Sequence, residues 1–163
     1  MMTVPEHATR ATPWWYWVVA VLFLLVQLAG VLQLPPQYLA SEAERAAPTA
    51  FWQIVNAEPW WATAGYSLAM IAGFFGACCL FPRRARRVVG PLLVAASVGL
   101  LAQRAWFNLV SDLTHLVPPV AQFTQFLPIV LNLAIIAMAR RAIRLTPPNE
   151  ASSRPDRVPE RAR

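Results

Sequence analysis

Arg104 stands in the run LLAQRAWFNLVSD (residues 100–112), whose apolar residues otherwise read as a membrane span. A guanidinium offers five N–H donors in a rigid fork and accepts nothing, so it demands amide, carbonyl or carboxylate oxygens nearby. On a helical wheel Ser97, Arg104, Asn108, Ser111 and His115 fall within about 40° of one line, which gives this helix a single polar face. Arg104 lies roughly 9 Å below the outer boundary at Val110. Gln27, Thr63, Tyr66 and Gln125 reach similar depth from the other three apolar segments. The expectation is one intramembrane polar layer of Gln27, Thr63, Tyr66, Arg104, Asn108 and Gln125. Arg104 would bond to Gln27, Gln125, Tyr66 and the Thr124 carbonyl, which Pro128 leaves without its helical donor. Two roles are open to such a layer: a clamp that fixes four helices in register, or an outward-facing pocket for an anionic or polyhydroxyl solute. The sequence favours the clamp, because the pocket would be small and no polar route leads onward from it.

Other chemistry is not encoded. No apolar segment contains Asp, Glu or His, so the proton-relay carboxylate of small antiporters is missing. His7 and His115 lie outside the spans, where they are not placed for intramembrane haem ligation. Cys78 and Cys79 are neighbours pointing about 100° apart on a helix, which disfavours a bridge and suits buried, reduced thiols. There is no metal-ligand spacing, phosphate loop or catalytic triad. The expectation is a protein that is not an enzyme and uses no cofactor.

The elements that position Arg104 follow from composition. In 163 residues, 57% are hydrophobic and 13% charged, far more apolar surface than one small water-soluble domain buries. That surface falls into four blocks of about 20 residues, each matched to a hydrocarbon layer about 30 Å thick. The predicted class is all-α: an integral membrane antiparallel four-helix bundle with spans at 14–34, 60–81, 88–110 and 120–139. Residues 1–13 form an N-terminal segment, 14–144 the transmembrane domain with an outer loop at 35–59, and 145–163 a disordered tail rich in proline and charge. The first block is longer than a signal-peptide core and follows a lone Arg10, so it is expected to be retained as a helix.

The net charge of +6 is a topology signal rather than a nucleic-acid face. Arg10, Arg83, Arg84, Arg86, Arg87, Arg140, Arg141, Arg144 and the tail arginines fall on one side, and Arg45 alone on the other. Basic segments stay inside, which predicts both termini in the cytoplasm of a bacterial inner-membrane protein. Trp14, Trp15 and Trp17 with Tyr16 at the inner boundary, and Trp60, Trp61 and Trp106 at the outer one, read as interfacial belts. The outer loop offers PPQYLASEAERAAP and TAFWQIVNAEP, patterned for short helices on the membrane surface. Beyond the bilayer itself, the expected partners are anionic lipid at Arg83, Arg84, Arg86 and Arg87, and a second copy or another membrane protein. Close helix packing is assigned to Gly65, Ala69, Gly73 and Gly76, with Ala62 on the same face.

The stretch from TPWWYWVVAVLFLLVQLAGV through EPWWATAGYSLAMIAGFFGACCLFPRRARRVVGPLLVAASVGLLAQ resembles a family of short bacterial four-helix membrane proteins that carry the label "sugar transporter". The resemblance covers roughly residues 12–143 and rests on an ordered set of features. These are the aromatic-rich start, Gly30 ending helix one, Pro59 and Trp60 before helix two, Gly73 and Gly76 within it, the basic inner turn, and Gln103. It implies the same four-span fold and brings small-solute transport, by a homo-oligomer, as the alternative to a structural or interaction role.

Overall fold

The computed structural model describes residues 12–144, and among them every regular element is helical. The predicted disorder of 145–163 and most of the segment 1–13 lie outside the described residues. Helix α1 spans Trp14–Val31, followed by three short helices, α2 (Leu34–Leu39), α3 (Glu42–Arg45) and α4 (Ala50–Ala57). Then come α5 (Trp60–Cys78), a 3-10 turn at Arg83–Ala85 and α6 (Arg86–Ala105). A π turn over Trp106–Val110 and a 3-10 segment over Asp112–Leu116 lead to α7 (Pro119–Thr124) and α8 (Leu127–Arg144).

Four helical stretches are long and apolar enough to cross a membrane: Trp14–Leu39, Trp60–Cys78, Arg83–Val110 and Gln122–Ile143. Their edges differ from the expected ones for physical reasons. Pro35 and Pro36 fall in the first turn of α2, where a missing N–H costs nothing, so helix runs on past residue 34. The basic turn itself winds into helix, which carries the third stretch back to Arg83. Pro128 sits in the first turn of α8, so the last span is built from two helices broken at residues 125 and 126 rather than one.

Large apolar side chains such as Leu22, Val26, Leu68, Val98 and Leu133 point outward, the arrangement that lipid rather than water solvates. Where the long helices approach most closely, the contacts are made at small residues. α5 packs along α6, α6 along α8, and α1 along α5. A methyl added at Gly65 would lie 3.2 Å from the Gly99 carbonyl oxygen, and one added at Gly76 would lie 2.7 Å from Leu93 Cδ2. Ala62, Ala69, Gly73 and Gly76 are all buried, Gly76 against Leu93 of α6 and Gly73 against Gln27 of α1.

One end of the protein carries the α5–α6 turn, the other the loop helices α2–α4. At the turn end Tyr16, Phe23, Leu80, Val89, Leu93, Ile135 and Ala139 form the largest core cluster. At the loop end Ala62, Trp106 and Phe107 pack together with Ile54 of α4 against them. Trp14, Trp15 and Trp17, and at the other end Trp60 and Trp61, are exposed as the belt reading requires, but Tyr16 and Trp106 are not. Both turn inward, because each lies on the buried side of its helix; aromatic type alone does not reveal which side that is.

Candidate functional site

The predicted single polar layer is divided in two. In the middle of the fold Gln27 Nε2 donates to Asn132 Oδ1 at 3.3 Å, and Asn132 Nδ2 donates to Ser97 Oγ at 3.2 Å. Ser97 in turn donates to the Leu93 carbonyl oxygen at 2.8 Å. Asn132 is 1% exposed and Gln27 8%, so this chain of amides joins α1, α8 and α6 out of contact with solvent or lipid. The fourth helix takes part by yielding space. A methyl at Gly73 would sit 2.7 Å from Gln27 Oε1, so any side chain there would push the amide out of its present place against α5. Gln27 was expected beside Arg104; its partner is Asn132 instead. These hydrogen bonds tie three of the long helices together, α1, α6 and α8.

Arg104 belongs to the loop end. Its Nη1 donates to Gln125 Oε1 at 3.0 Å, the partner anticipated from sequence. Glu58, just ahead of α5, brings a carboxylate toward the same place. Burial pushes the Glu58 carboxyl above its ordinary range, and the side chains of Gln103 and Thr63 and the charge of Arg104 partly offset this. Thr63 also donates weakly to the Pro59 carbonyl oxygen at 3.4 Å. Tyr66, half-buried, donates to Gln33 Oε1 at 3.5 Å and lies close enough to the Arg104 guanidinium to interact with it electrostatically. Asn108 is exposed and its Nδ2 donates to the Arg104 carbonyl oxygen at 2.9 Å, so it supports backbone and does not face the cluster. Glu58, Gln103 and Gln33 were absent from the predicted layer. Glu58 falls in the stretch 35–59 that reads as outer loop, and the one available signal is its position immediately before Pro59 and Trp60, where α5 starts.

Three polar atoms of this cluster are buried without a hydrogen-bond partner: Glu58 Oε1, Gln103 Oε1 and Arg104 Nε. The surrounding backbone is interrupted as well. α1 gives way to α2 at residues 32 and 33, α6 passes into the π turn directly after Ala105, and α7 stops just before Gln125. In the π turn Ser111 N bonds five residues back to the Trp106 carbonyl oxygen at 3.0 Å. Asn108 and Ser111 side chains bond carbonyls four residues back, at 2.9 and 2.7 Å. Such side-chain bonds hold the irregular turn together where the regular ladder has lapsed.

A third polar arrangement closes the turn end. The Leu80 carbonyl oxygen accepts from Tyr16 Oη at 3.0 Å and from Arg86 Nε at 3.1 Å. The Arg86 guanidinium lies 4.7 Å from the centre of the Tyr16 ring and 5.6 Å from that of Trp17. Arg86 is only 3% exposed. It is therefore withdrawn from the expected lipid-facing set, and Arg83, Arg84 and Arg87 alone remain outward. Cys78 and Cys79 are free and half-buried, and burial, followed by the neighbouring thiol, pushes the Cys79 thiol up. Among the described residues no group of three or more His, Cys, Asp and Glu side chains gathers as a metal site. The chain matches no protein-family model, no curated protein and no solved structure.

Proposed function

We propose that this chain is a non-enzymatic integral membrane protein whose four spans form an antiparallel bundle and serve as a structural or interaction component of a larger membrane assembly. The carrying observation is the Gln27–Asn132–Ser97 network with Gly73 set against it. A buried, mutually bonded amide chain fixes helix register. The antiparallel arrangement is supported by the order of contacts along α5 and α6, where Gly65 meets Gly99 and Ala102 while Gly76 meets Leu92 and Leu93. With Arg83, Arg84, Arg87, Arg140 and Arg141 exposed near one end, the positive-inside rule puts that end, and both chain termini, in the cytoplasm of a bacterial inner membrane. Those arginines would meet anionic headgroups there.

Small-solute transport, which the resemblance implies, is the second reading, favoured by the unpartnered polar atoms around Arg104. Vesicles containing the purified chain separate the two. The bundle reading expects glucose flux no greater than in protein-free vesicles; glucose flux that Arg104→Ala abolishes would overturn it in favour of transport. Tags at the two termini should be accessible from the same side, and accessibility from opposite sides would refute the orientation.

A further inference from the structure

We propose that one anionic phospholipid is seated at the turn end, its phosphate directed at Arg141 in a cavity between the start of α1 and the end of α8. The cavity measures about 240 Å³ and is lined by Pro13, Trp15, Tyr16, Met138, Arg141 and Ala142. The helix arrangement leaves room for it. α5 packs along α6, α6 along α8 and α1 along α5, whereas α1 and α8 are joined by the Gln27–Asn132 bond and by side chains of the core cluster. Met138, Arg141 and Ala142 follow the spacing that puts them on one face of α8, across from the first turn of α1.

Size, charge and place select the occupant. A volume of about 240 Å³ exceeds what one ordered water needs and falls short of the roughly 300–1,000 Å³ of pockets that enclose a drug-sized ligand. The fitting guest therefore puts a compact head inside and leaves its remainder outside. One arginine and no acidic side chain line the cavity, which favours an anion over a cation. A second guanidinium, that of Arg86, lies 4.7 Å from the centre of the Tyr16 ring, and its buried Nη2 has no hydrogen-bond partner. Positive charge thus stands one side chain behind the cavity wall as well. The helix ends that meet here, the start of α1 and the end of α8, have opposite dipole signs, so the side chains decide. The first apolar span starts at Trp14 and the last ends at Ile143, which puts the cavity at the level of the headgroups, where an indole such as that of Trp15 is at home. Free phosphate would satisfy the arginine but leave Trp15, Met138 and Ala142 bare; a phospholipid meets both. The inference rests on the reading that arginines at this end meet anionic headgroups, and narrows it to one lipid in one seat.

The test is native mass spectrometry of the full chain in detergent, titrated with phosphatidylglycerol, phosphatidylcholine or inorganic phosphate. One phosphatidylglycerol should be retained saturably, at least about five-fold more tightly than phosphatidylcholine. Arg141→Gln should weaken that binding by about five-fold, and Ala142→Phe, which fills the cavity without changing its charge, by at least about ten-fold. Arg84→Gln, exposed and outside the cavity, should leave it within about two-fold. Unfolding midpoints in lipid-free detergent show which variants fold; if Ala142→Phe does not, Arg141→Gln decides. Absence of a saturable first site, phosphatidylcholine bound as well as phosphatidylglycerol, binding unchanged by Arg141→Gln, or displacement of the lipid by inorganic phosphate at equal concentration would overturn the proposal. Several phosphatidylglycerols weakened alike by Arg84→Gln and Arg141→Gln would also overturn the single seat, while leaving the general headgroup reading standing. The assay does not read orientation, so its outcome is separate from that of the terminal tags.

Discussion

Replacing Gly99 by alanine tests the packing on which the rest of the fold depends. The added methyl would fall on the Gly65 carbonyl oxygen, and it would also lie 3.2 Å from Ala69 Cβ. The obstruction is backbone rather than the tip of a flexible side chain, so no rotamer change relieves it and α5 must move away from α6. Overpacking of this kind costs about 1–3 kcal/mol, and an inter-helix gap of 0.5–1 Å already forfeits about a quarter to a half of each van der Waals contact. Alanine's better helix propensity returns about 1 kcal/mol. With the cost at the upper end of its range, the net loss is about 2 kcal/mol. Gly90 is the matched control, because a methyl there meets nothing within 4 Å and only the propensity gain applies. Thermal unfolding of both variants in the same bicelles, followed by circular dichroism, checks the difference. Gly99→Ala should unfold well below the unsubstituted protein and Gly90→Ala at or above it. Equal midpoints for the two variants would refute the claim that α5 and α6 meet backbone to backbone at this point.

Asn132→Ala removes the bonds to both Gln27 and Ser97 and strands the Gln27 amide; a loss of about 1–2 kcal/mol is expected in the same unfolding assay. Arg86→Lys keeps the charge but loses the planar fork stacked on Tyr16, so it should destabilise by about 1–2 kcal/mol, whereas Arg84→Gln, fully outward, should stay within about 0.5 kcal/mol. At the start of α3, the Ser41 backbone N–H and hydroxyl hold the Glu44 carboxyl below its usual range. A lowered carboxyl stabilises the fold above its unfolded value and loses that contribution as pH falls through the folded one. Acid titration followed by NMR should therefore melt α3 as Glu44 protonates, and Ser41→Ala should raise the pH at which this happens.

What was legible from sequence follows the physics that acts locally. Apolar blocks and small-residue spacing are properties of one helix at a time; the four apolar stretches are there, while the small residues of α5 divide between α6, at Gly65 and Gly76, and α1, at Gly73. The Arg104–Gln125 bond was also within reach, since depth within a span can be counted. Depth does not fix which neighbour a side chain meets. Gln27 and Arg104 were placed at one level, yet Gln27 faces α8 through the opening at Gly73. Arg86 read as one more outward charge of a basic turn; its burial depends on Tyr16 and Trp17, far away in the chain. Glu58 shows the converse, a loop residue by sequence that α5's starting point swings toward Gln103 and Arg104.

The shared carbonyl of Leu80 has a consequence for biosynthesis. Tyr16 leaves the ribosome long before either Leu80 or Arg86 exists, so until the α5–α6 turn is made the phenol has only interfacial water and headgroups to bond, and the opening hydrophobic segment lacks this tie. Its anchorage is then completed in one event, as a single oxygen receives both donors. The Asn132 amide arrives later still and locks Gln27. Assembly is thus staged from the basic end outward, and nascent chains halted ahead of residue 86 should release their first segment to extraction that longer ones resist.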